Sequence, residues 1–563
     1  MSEPIIPQAE IPRASAATKI GWAILIVATL YVCYFSHLGA IGFVGPDEPR
    51  YAWIARDMAE TGDWVTPRLY GKPWFEKPPL FYWGAALCFK LFGVSEAAAR
   101  LPSAISALLA TLALAWLALR LYDAETARWL LLLLPTTVGM IGFSHAAATD
   151  MPFSAMLSVA MVCAAVVLGL TRNENTPILP QTSWLALILF GFFLGLAVLA
   201  KGPAAIILSG GAIFVWALFT KRWRDAFRLL HPTAIASFCF TALPWYILCA
   251  RRNPDFFRIF LIEHNFKRYL TPEFQHIQPF WYYLPVLFVA FLPWTGILVW
   301  TAAAGGVRFA KVRSLSPHSA FLLSWSAFVV LFFALSKSKL PGYILPAITA
   351  LALLLARSCA KFAIPHTKSF GASIAAFALL LLVAADVAPR LLPHANTPSH
   401  QVLLALSFLF GMLAMANTIL AAFLLTNGNG NLNSVATICV IPVLFAFLAA
   451  DKPPADFVWL SSRSLANQLR EQHVPPERIF LYYGIGRSER YGLNFYLRSE
   501  LTDWDQNPGT EAYVLSGSVR CKSLKQQGFA CVDVPLDPMS GWFVSHVTPR
   551  ILSSSLPHSG QPH

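Results

Sequence analysis

Charge is scarce in this chain. Only 13% of its 563 residues are Asp, Glu, Lys or Arg, against 56% hydrophobic, and the mean hydropathy is +0.56. Soluble domains carry roughly a quarter of their residues as charges, so the deficit excludes an ordinary globular protein and a disordered one alike. A glycine-rich phosphate loop is also missing. "LAKGP" (199–203) holds a lysine without the full glycine pattern, which argues against a nucleotide site. No close His and Cys spacing reads as a metal centre, and no repeat of solenoid type is visible. The first apolar run, "IGWAILIVATLYVCYFSHLGAIGF" (20–43), has no small-residue cleavage site and reads as a retained anchor. Cysteines number nine, and seven lie in apolar segments as small buried hydrophobes. Cys521 and Cys531 sit in a polar tail, and their separation suits a disulfide if that tail lies outside the cytoplasm.

What is abundant is apolar sequence at the length of a bilayer crossing, ~20 residues each. Helical backbone satisfies its own peptide groups in lipid, so thirteen crossings are expected. They fall at 20–40, 98–121, 127–147, 151–170, 184–200, 202–219, 231–250, 281–302, 319–336, 341–357, 369–388, 401–425 and 433–450. The stretch "PPLFYWGAALCFKLFG" (78–93) is apolar but short, carries Lys90, and reads as an interfacial helix. The formal charge of +13 does not point to nucleic acid, because the basic residues sit in short loops. With the N-terminus inside, "RLYDAETAR", "TRNENTP", "TKRWRDAFR", "RFAKVRS" and "RSCAKFAIPHTK" hold thirteen Lys or Arg against four Asp or Glu. That bias sets a cytoplasmic N-terminus, residues 1–19. The membrane domain is then 20–450, with exterior loops 41–97 and 251–280. The tail from 451 to 563 alternates strand-like runs ("ERIFLYYGIG", "EAYVLSGSV", "FACVDVPL") with an amphipathic helix, "SSRSLANQLREQ". A small exterior α/β domain is the expectation.

The few polar residues gather at helix ends on one side: "GPDEPRYA", "GKPWFEKPPLFYW", "AATDMPF", "LAKGPAA", "EHNFKRYLTPEF" and "SKSKLPGYILP". One such group is as readily an idle, solvated loop charge as a functional one. Six converging on one face favour function. Asp47, Glu48, Glu76, Asp150 and Glu263 alternate there with Lys77, Lys201, Arg268, Lys337 and Lys339. Cations at a bilayer surface suit a departing phosphate, and carboxylates suit an oxocarbenium-like centre or the orientation of an acceptor. Tyr82, Trp83 and Tyr343 suit a prenyl chain or a sugar ring. Arg56 and Asp57 read as an internal salt bridge on an interfacial helix, and Arg50 as a residue that orients Asp47.

The order "GPDEPRYAWIARDM", "GDWVTPRLYGKPWFEKPPLFYW", "RLPSAISALLATLA", "ATDMPFSA" and "SKSKLPGY" resembles the polyprenyl-phosphate-dependent glycosyltransferases of type C. Within these it is nearest the lipid A aminoarabinose transferases, relatives of the protein O-mannosyltransferases. The resemblance implies an all-α polytopic fold of about 13 transmembrane helices with a periplasmic C-terminal α/β domain, in a bacterial inner membrane. It implies transfer of 4-amino-4-deoxy-L-arabinose from undecaprenyl phosphate to a lipid A phosphate by a monomer, with polymyxin resistance as the outcome. Carried over by position, Asp47 and Asp150 are the catalytic carboxylates. Lys77, Arg268 and Tyr343 would hold the donor phosphate, with Tyr82, Lys201 and Lys339 as further lipid contacts. No cofactor is obligatory; a divalent ion (Zn, Mg or Mn) would fall to Glu76 and His264, although a loop histidine bonded to backbone or water is the blander reading. Two alternatives stay open. One is another polyprenyl-linked sugar or another acceptor. The other is a lipid-linked sugar flippase, against which the one-sided clusters and the lack of an internal repeat argue.

Overall fold

The computed structural model describes residues 16–171, 180–267, 277–312, 315–361, 461–482, 485–504, 511–517, 521–526, 529–536 and 542–548, with isolated positions between 375 and 444. The chain is mostly helical. Six helices among the described residues are long and apolar enough to cross a membrane: Glu96–Leu121 (α4), Asp150–Val167 (α7), Trp184–Lys201 within α8, Pro232–Arg252 (α11), Pro317–Leu335 (α14) and Pro341–Lys361. Residues Ala124–Leu133 (α5) and Val138–Ser144 (α6) make a seventh if counted as one bent span. Pro135 lies at the 62° bend, where a missing N–H breaks the helical ladder. Thr137 then caps the second piece by accepting from the Met140 N–H. Shorter apolar helices are Lys19–Phe35 within α1 (Ala16–Phe35), Leu80–Phe92 (α3) and Ala204–Thr220 (α9). The expected crossing at 281–302 is divided into Tyr283–Ala290 (α12) and Thr295–Val312 (α13), with Pro293 in the break. The expected crossings at 369–388, 401–425 and 433–450 lie outside the described residues, apart from isolated positions.

Side-chain contacts establish which helix ends lie together. At one end Lys201, closing α8 (Pro180–Lys201), meets Asp150 opening α7 at 2.5 Å. There too Arg252, closing α11, meets Asp63 at 3.1 Å. Arg100, in the second turn of α4, meets Glu48 at 2.8 Å. At the other end Arg357 of Leu345–Lys361 (α15) meets Asp123 at the head of α5. Arg222 reaches the Leu168 carbonyl at 3.1 Å, and Trp216 of α9 bonds the Pro317 carbonyl at 3.1 Å. α7 therefore runs from one polar end to the other, and α4 leads from Arg100 to the Asp123 that follows it, as membrane-crossing helices require.

Over the first end lie the amphipathic helix Asp47–Thr61 (α2), helix α3 and a two-stranded hairpin, Arg68–Leu69 (β1) with Lys72–Pro73 (β2). α2 closes on Gly62, whose φ of 75° suits a residue without Cβ. At ~1.5 Å per residue, the 13 residues of α3 fall short of the ~30 Å hydrocarbon layer. Against these helices packs a mixed five-stranded sheet, in the order Thr502–Asp503 (β4), Ile479–Leu481 (β3), Ala512–Ser516 (β5), Phe543–Thr548 (β7) and Ala530–Val534 (β6). Helices Arg463–Glu471 (α16) and Arg487–Leu497 (α17) accompany it, and Cys521 and Cys531 are disulfide-bonded. The seam is specific. Arg463 donates to the Gly39 and Ala40 carbonyls at 3.1 and 2.8 Å. The Tyr496 hydroxyl donates to Glu96 and accepts from the Phe43 N–H, both at 2.8 Å.

Candidate active site

Two charged clusters occupy this end. In the first, Asp47 opens α2 and Arg50 follows one turn later, donating to Asp47 at 2.5 Å and meeting Glu76 at 3.0 Å. Lys77 stands 3.8 Å from Glu76. The exposures differ usefully: the Asp47 side chain is 51% exposed, while Arg50 is 3% and Glu76 10%. Asp47 is thus the reachable carboxylate, held by a buried cation that is itself fixed by a second acid. Three rings enclose the Arg50 guanidinium: Tyr51 at 5.2 Å, Trp74 at 5.5 Å and Tyr491 of α17 at 5.5 Å. Tyr82 of α3 is fully buried beside them, and no hydrogen-bond partner is found for its hydroxyl among the described residues. Burial holds that phenol well above its ordinary pKa, with Glu76 adding to the effect, so it is a donor and never an anion at neutral pH.

The second cluster comprises Asp150, Lys201 and Tyr343. Lys201 lies 2.5 Å from Asp150 and 4.6 Å from the centre of the Tyr343 ring. Tyr343 is delivered by the turn Pro341–Ile344, and the preceding Gly342 backs directly onto Asp150. A Cβ at Gly342 would stand 2.5 Å from Asp150 Oδ1. "SKSKLPGY" therefore needs its glycine for approach as much as its tyrosine for contact.

Glu48 fastens the clusters to each other. Neighbour to Asp47 in sequence, it turns inward, accepts Arg100 Nε and Nη2 at 2.9 and 2.8 Å, and accepts the Ala147 N–H at 2.6 Å. Ala147 is three residues before Asp150. Arg100 also donates to the Leu38, Ile41 and Gly42 carbonyls, so one buried pair ties the first loop to the mouth of α7. A second tie is apolar: Phe75, beside Glu76, and Leu199, near Lys201, share a cluster with Phe256 and Phe260.

The remaining expected residues divide. Lys339 is buried and donates to the Gln278 and Ser336 carbonyls at 2.9 and 2.6 Å. Burial lowers its pKa, and Lys337 lowers it further. This ammonium closes the end of α14 and is not brought into either cluster. Glu263 pairs with Arg258 at 2.7 Å on the π-helical segment Arg258–Lys267, which also carries His264. Arg268 lies outside the described residues. Among the described residues no three His, Cys, Asp or Glu side chains group as a metal site, and Glu76 faces Arg50 and Lys77, a cationic setting that disfavours a metal ion. Arg56 pairs with Glu60 at 2.7 Å and not with Asp57. Arg100 and Tyr491 are the residues that sequence reasoning missed. Arg100 stood inside the quoted "RLPSAISALLATLA", but nothing in the sequence links it to Glu48, 52 positions away.

Residues 20–260 match the family described as dolichyl-phosphate-mannose-protein mannosyltransferase. With a helical membrane bundle that collects acids and cations at one end, this defines the chain as a membrane glycosyltransferase. An undecaprenyl phosphate-alpha-4-amino-4-deoxy-L-arabinose arabinosyl transferase from Enterobacter sp. (strain 638) is 31% identical over 451 residues, 78% of this chain and 78% of that protein. The protein of the same name from Erwinia tasmaniensis is 35% identical over 350 residues, 60% of this chain and 61% of its own. The crystal structure of ArnT from Cupriavidus metallidurans bound to undecaprenyl phosphate superposes with a TM-score of 0.78 at 25% identity, covering 96% of this chain and 100% of that one. Its apo form gives 0.76. The chain belongs to the undecaprenyl phosphate-aminoarabinose arabinosyl transferase family.

Proposed function

We propose that this protein transfers 4-amino-4-deoxy-L-arabinose from undecaprenyl phosphate to a phosphate of lipid A. The work is done at the periplasmic face of a bacterial inner membrane, and the added cationic sugar confers resistance to polymyxin-like peptides. The observation that carries the reading is family membership across most of the chain, joined to two ion clusters at the bundle end that bears Asp47. Thirteen crossings are the count the sequence supports, and an exterior C-terminal domain fits both its seam with the first loop and the basic loops of the opposite end.

In this reading the acceptor phosphate oxygen attacks the anomeric carbon, and the bond from that carbon to the undecaprenyl phosphate oxygen breaks. The electron pair leaves with the phosphate. Lys77, Lys201 and Arg268 disperse the charge that the departing phosphate gains, and Tyr343 borders the head group. Asp47 faces the reacting centre, oriented by Arg50, and balances the positive character at the anomeric carbon. The acceptor phosphate is already anionic, so removing a proton is secondary. Holding two lipid-anchored heads at one depth makes the step nearly unimolecular. The buried charges are framed for binding at one surface, which favours chemistry over flipping. The test is mass spectrometry of lipid A from cells with and without the protein. A pentosamine increment that depends on the protein supports the assignment, and a hexose increment or no change refutes it.

A further inference from the structure

The opposite end of the bundle carries a feature that sugar transfer does not use. α8 and α11 pack closely; a Cβ on Gly191 would come within 2.1 Å of the Ala234 carbonyl. Between α9 and α11, by contrast, lies a cleft of about 530 Å³ walled by residues such as Phe190, Leu194, Phe214 and Phe238. The connection 221–231, built from the short helix Trp223–Phe227 (α10) and a 3₁₀ turn, contributes Leu230 to its wall. Of the lining side chains only Ser209 and Trp223 carry a polar atom, and the Ser209 hydroxyl donates back to the Ala205 carbonyl at 2.8 Å. Such a space rejects polar molecules and holds water poorly.

The same connection is strongly basic. Lys221, Arg222, Arg224 and Arg228 face a single acid, Asp225, a net +3 over residues 221–228. Arg222 and Arg228 share Asp225 at 2.7 and 3.0 Å. Lys221 and Arg224 are exposed and form no ion pair among the described residues. Basic loops orient membrane helices, but orientation requires no cavity beneath the charge. The conjunction of a dry cleft and unneutralised cations at its rim describes a lipid with an apolar tail and an anionic head.

We propose that this cleft binds one anionic phospholipid of the leaflet opposite the catalytic end, with an acyl chain between α9 and α11 and the phosphate at Lys221 and Arg224. Gly210 lines the cleft, and a Cβ there meets nothing within 4 Å, so a side chain can start from this position and Gly210→Trp is the variant chosen to fill the space. The experiment is native mass spectrometry of the full-length protein titrated with dioleoyl phosphatidylglycerol, dioleoyl phosphatidylcholine or undecaprenyl phosphate. Wild type is expected to retain one phosphatidylglycerol in preference to phosphatidylcholine, and Gly210→Trp to lose it. The Lys221→Gln, Arg224→Gln double variant should bind it roughly 25-fold more weakly, about five-fold for each charge near the membrane surface, and lose the head-group preference. Gly210→Leu serves as the second variant should the tryptophan disturb folding. Equal retention by wild type and both Gly210 variants would overturn the proposal. So would equal affinity for the two phospholipids, or displacement of phosphatidylglycerol from the wild-type protein by undecaprenyl phosphate.

Discussion

At the scale of single residues, the site separates reachable groups from the groups that hold them. Asp47 is half exposed, whereas Arg50, Glu76 and Lys77 behind it are largely enclosed. Lys201 is held on Asp150 and over Tyr343. Removing its charge with Lys201→Ala is expected to lower turnover roughly 100-fold, the usual effect of deleting one electrostatic contact to developing charge. A steady-state assay with reconstituted lipid substrates measures it. Gly342→Ala tests the approach of the turn to Asp150. The new methyl would press on Oδ1 from 2.5 Å, and a displacement of about 1 Å to relieve that contact is expected to slow transfer by up to roughly 100-fold while the protein still folds. Retained activity in that variant would show that the Asp150–Lys201 pair has no part in transfer.

At the scale of elements, α2 is the part that sequence reads best and least at once. Its amphipathic pattern and the role of Arg50 beside Asp47 are legible from spacing alone. The partner of Glu48 is not, because Arg100 and Ala147 reach it from 52 and 99 positions away. Asp47 and Glu48 look alike in the sequence, yet the Asp47 side chain is half exposed whereas Glu48 is buried on Arg100. Lys339 presents the same difficulty, since a lysine near a membrane surface gives no sign that it will close a helix. Arg100→Ala leaves Glu48 buried without its cation, a loss of about 3–5 kcal/mol, and is expected to abolish folded protein on size-exclusion chromatography. Asp57 offers a test of pH dependence on the same helix. Burial raises its carboxyl pKa; Arg68 opposes this, and Glu60 and Asp63 add to it. The ionised form therefore destabilises the folded state at neutral pH, and that penalty disappears as pH falls through the folded pKa. Asp57→Asn is expected to melt slightly higher than wild type at pH 7, with the difference closing near pH 4, as thermal unfolding at both pH values would show.

At the scale of the molecule, the gathering of Asp47, Glu76, Lys77, Asp150 and Lys201 at one end was legible because charge is expensive in lipid and stands out against apolar runs. The break at Pro293 was open to reading from the proline alone; the contribution of the C-terminal region was not, since it depends on packing between distant segments. Tyr491, from the sheet-bearing domain, completes the ring cage around Arg50, so that domain is part of the site's support. Gly42 lies at the seam, where a Cβ would stand 2.2 Å from Ser461 Oγ and 2.8 Å from the Tyr496 hydroxyl. Gly42→Ala is expected to loosen the domain and speed its release by limited proteolysis. The measurement that bears most directly on the whole account is sugar transfer by purified Asp47→Asn protein in proteoliposomes holding the undecaprenyl-phosphate-linked aminoarabinose and lipid A. Product formation is predicted to fall by roughly 100-fold or more while undecaprenyl phosphate still binds; transfer at the wild-type rate would contradict the account.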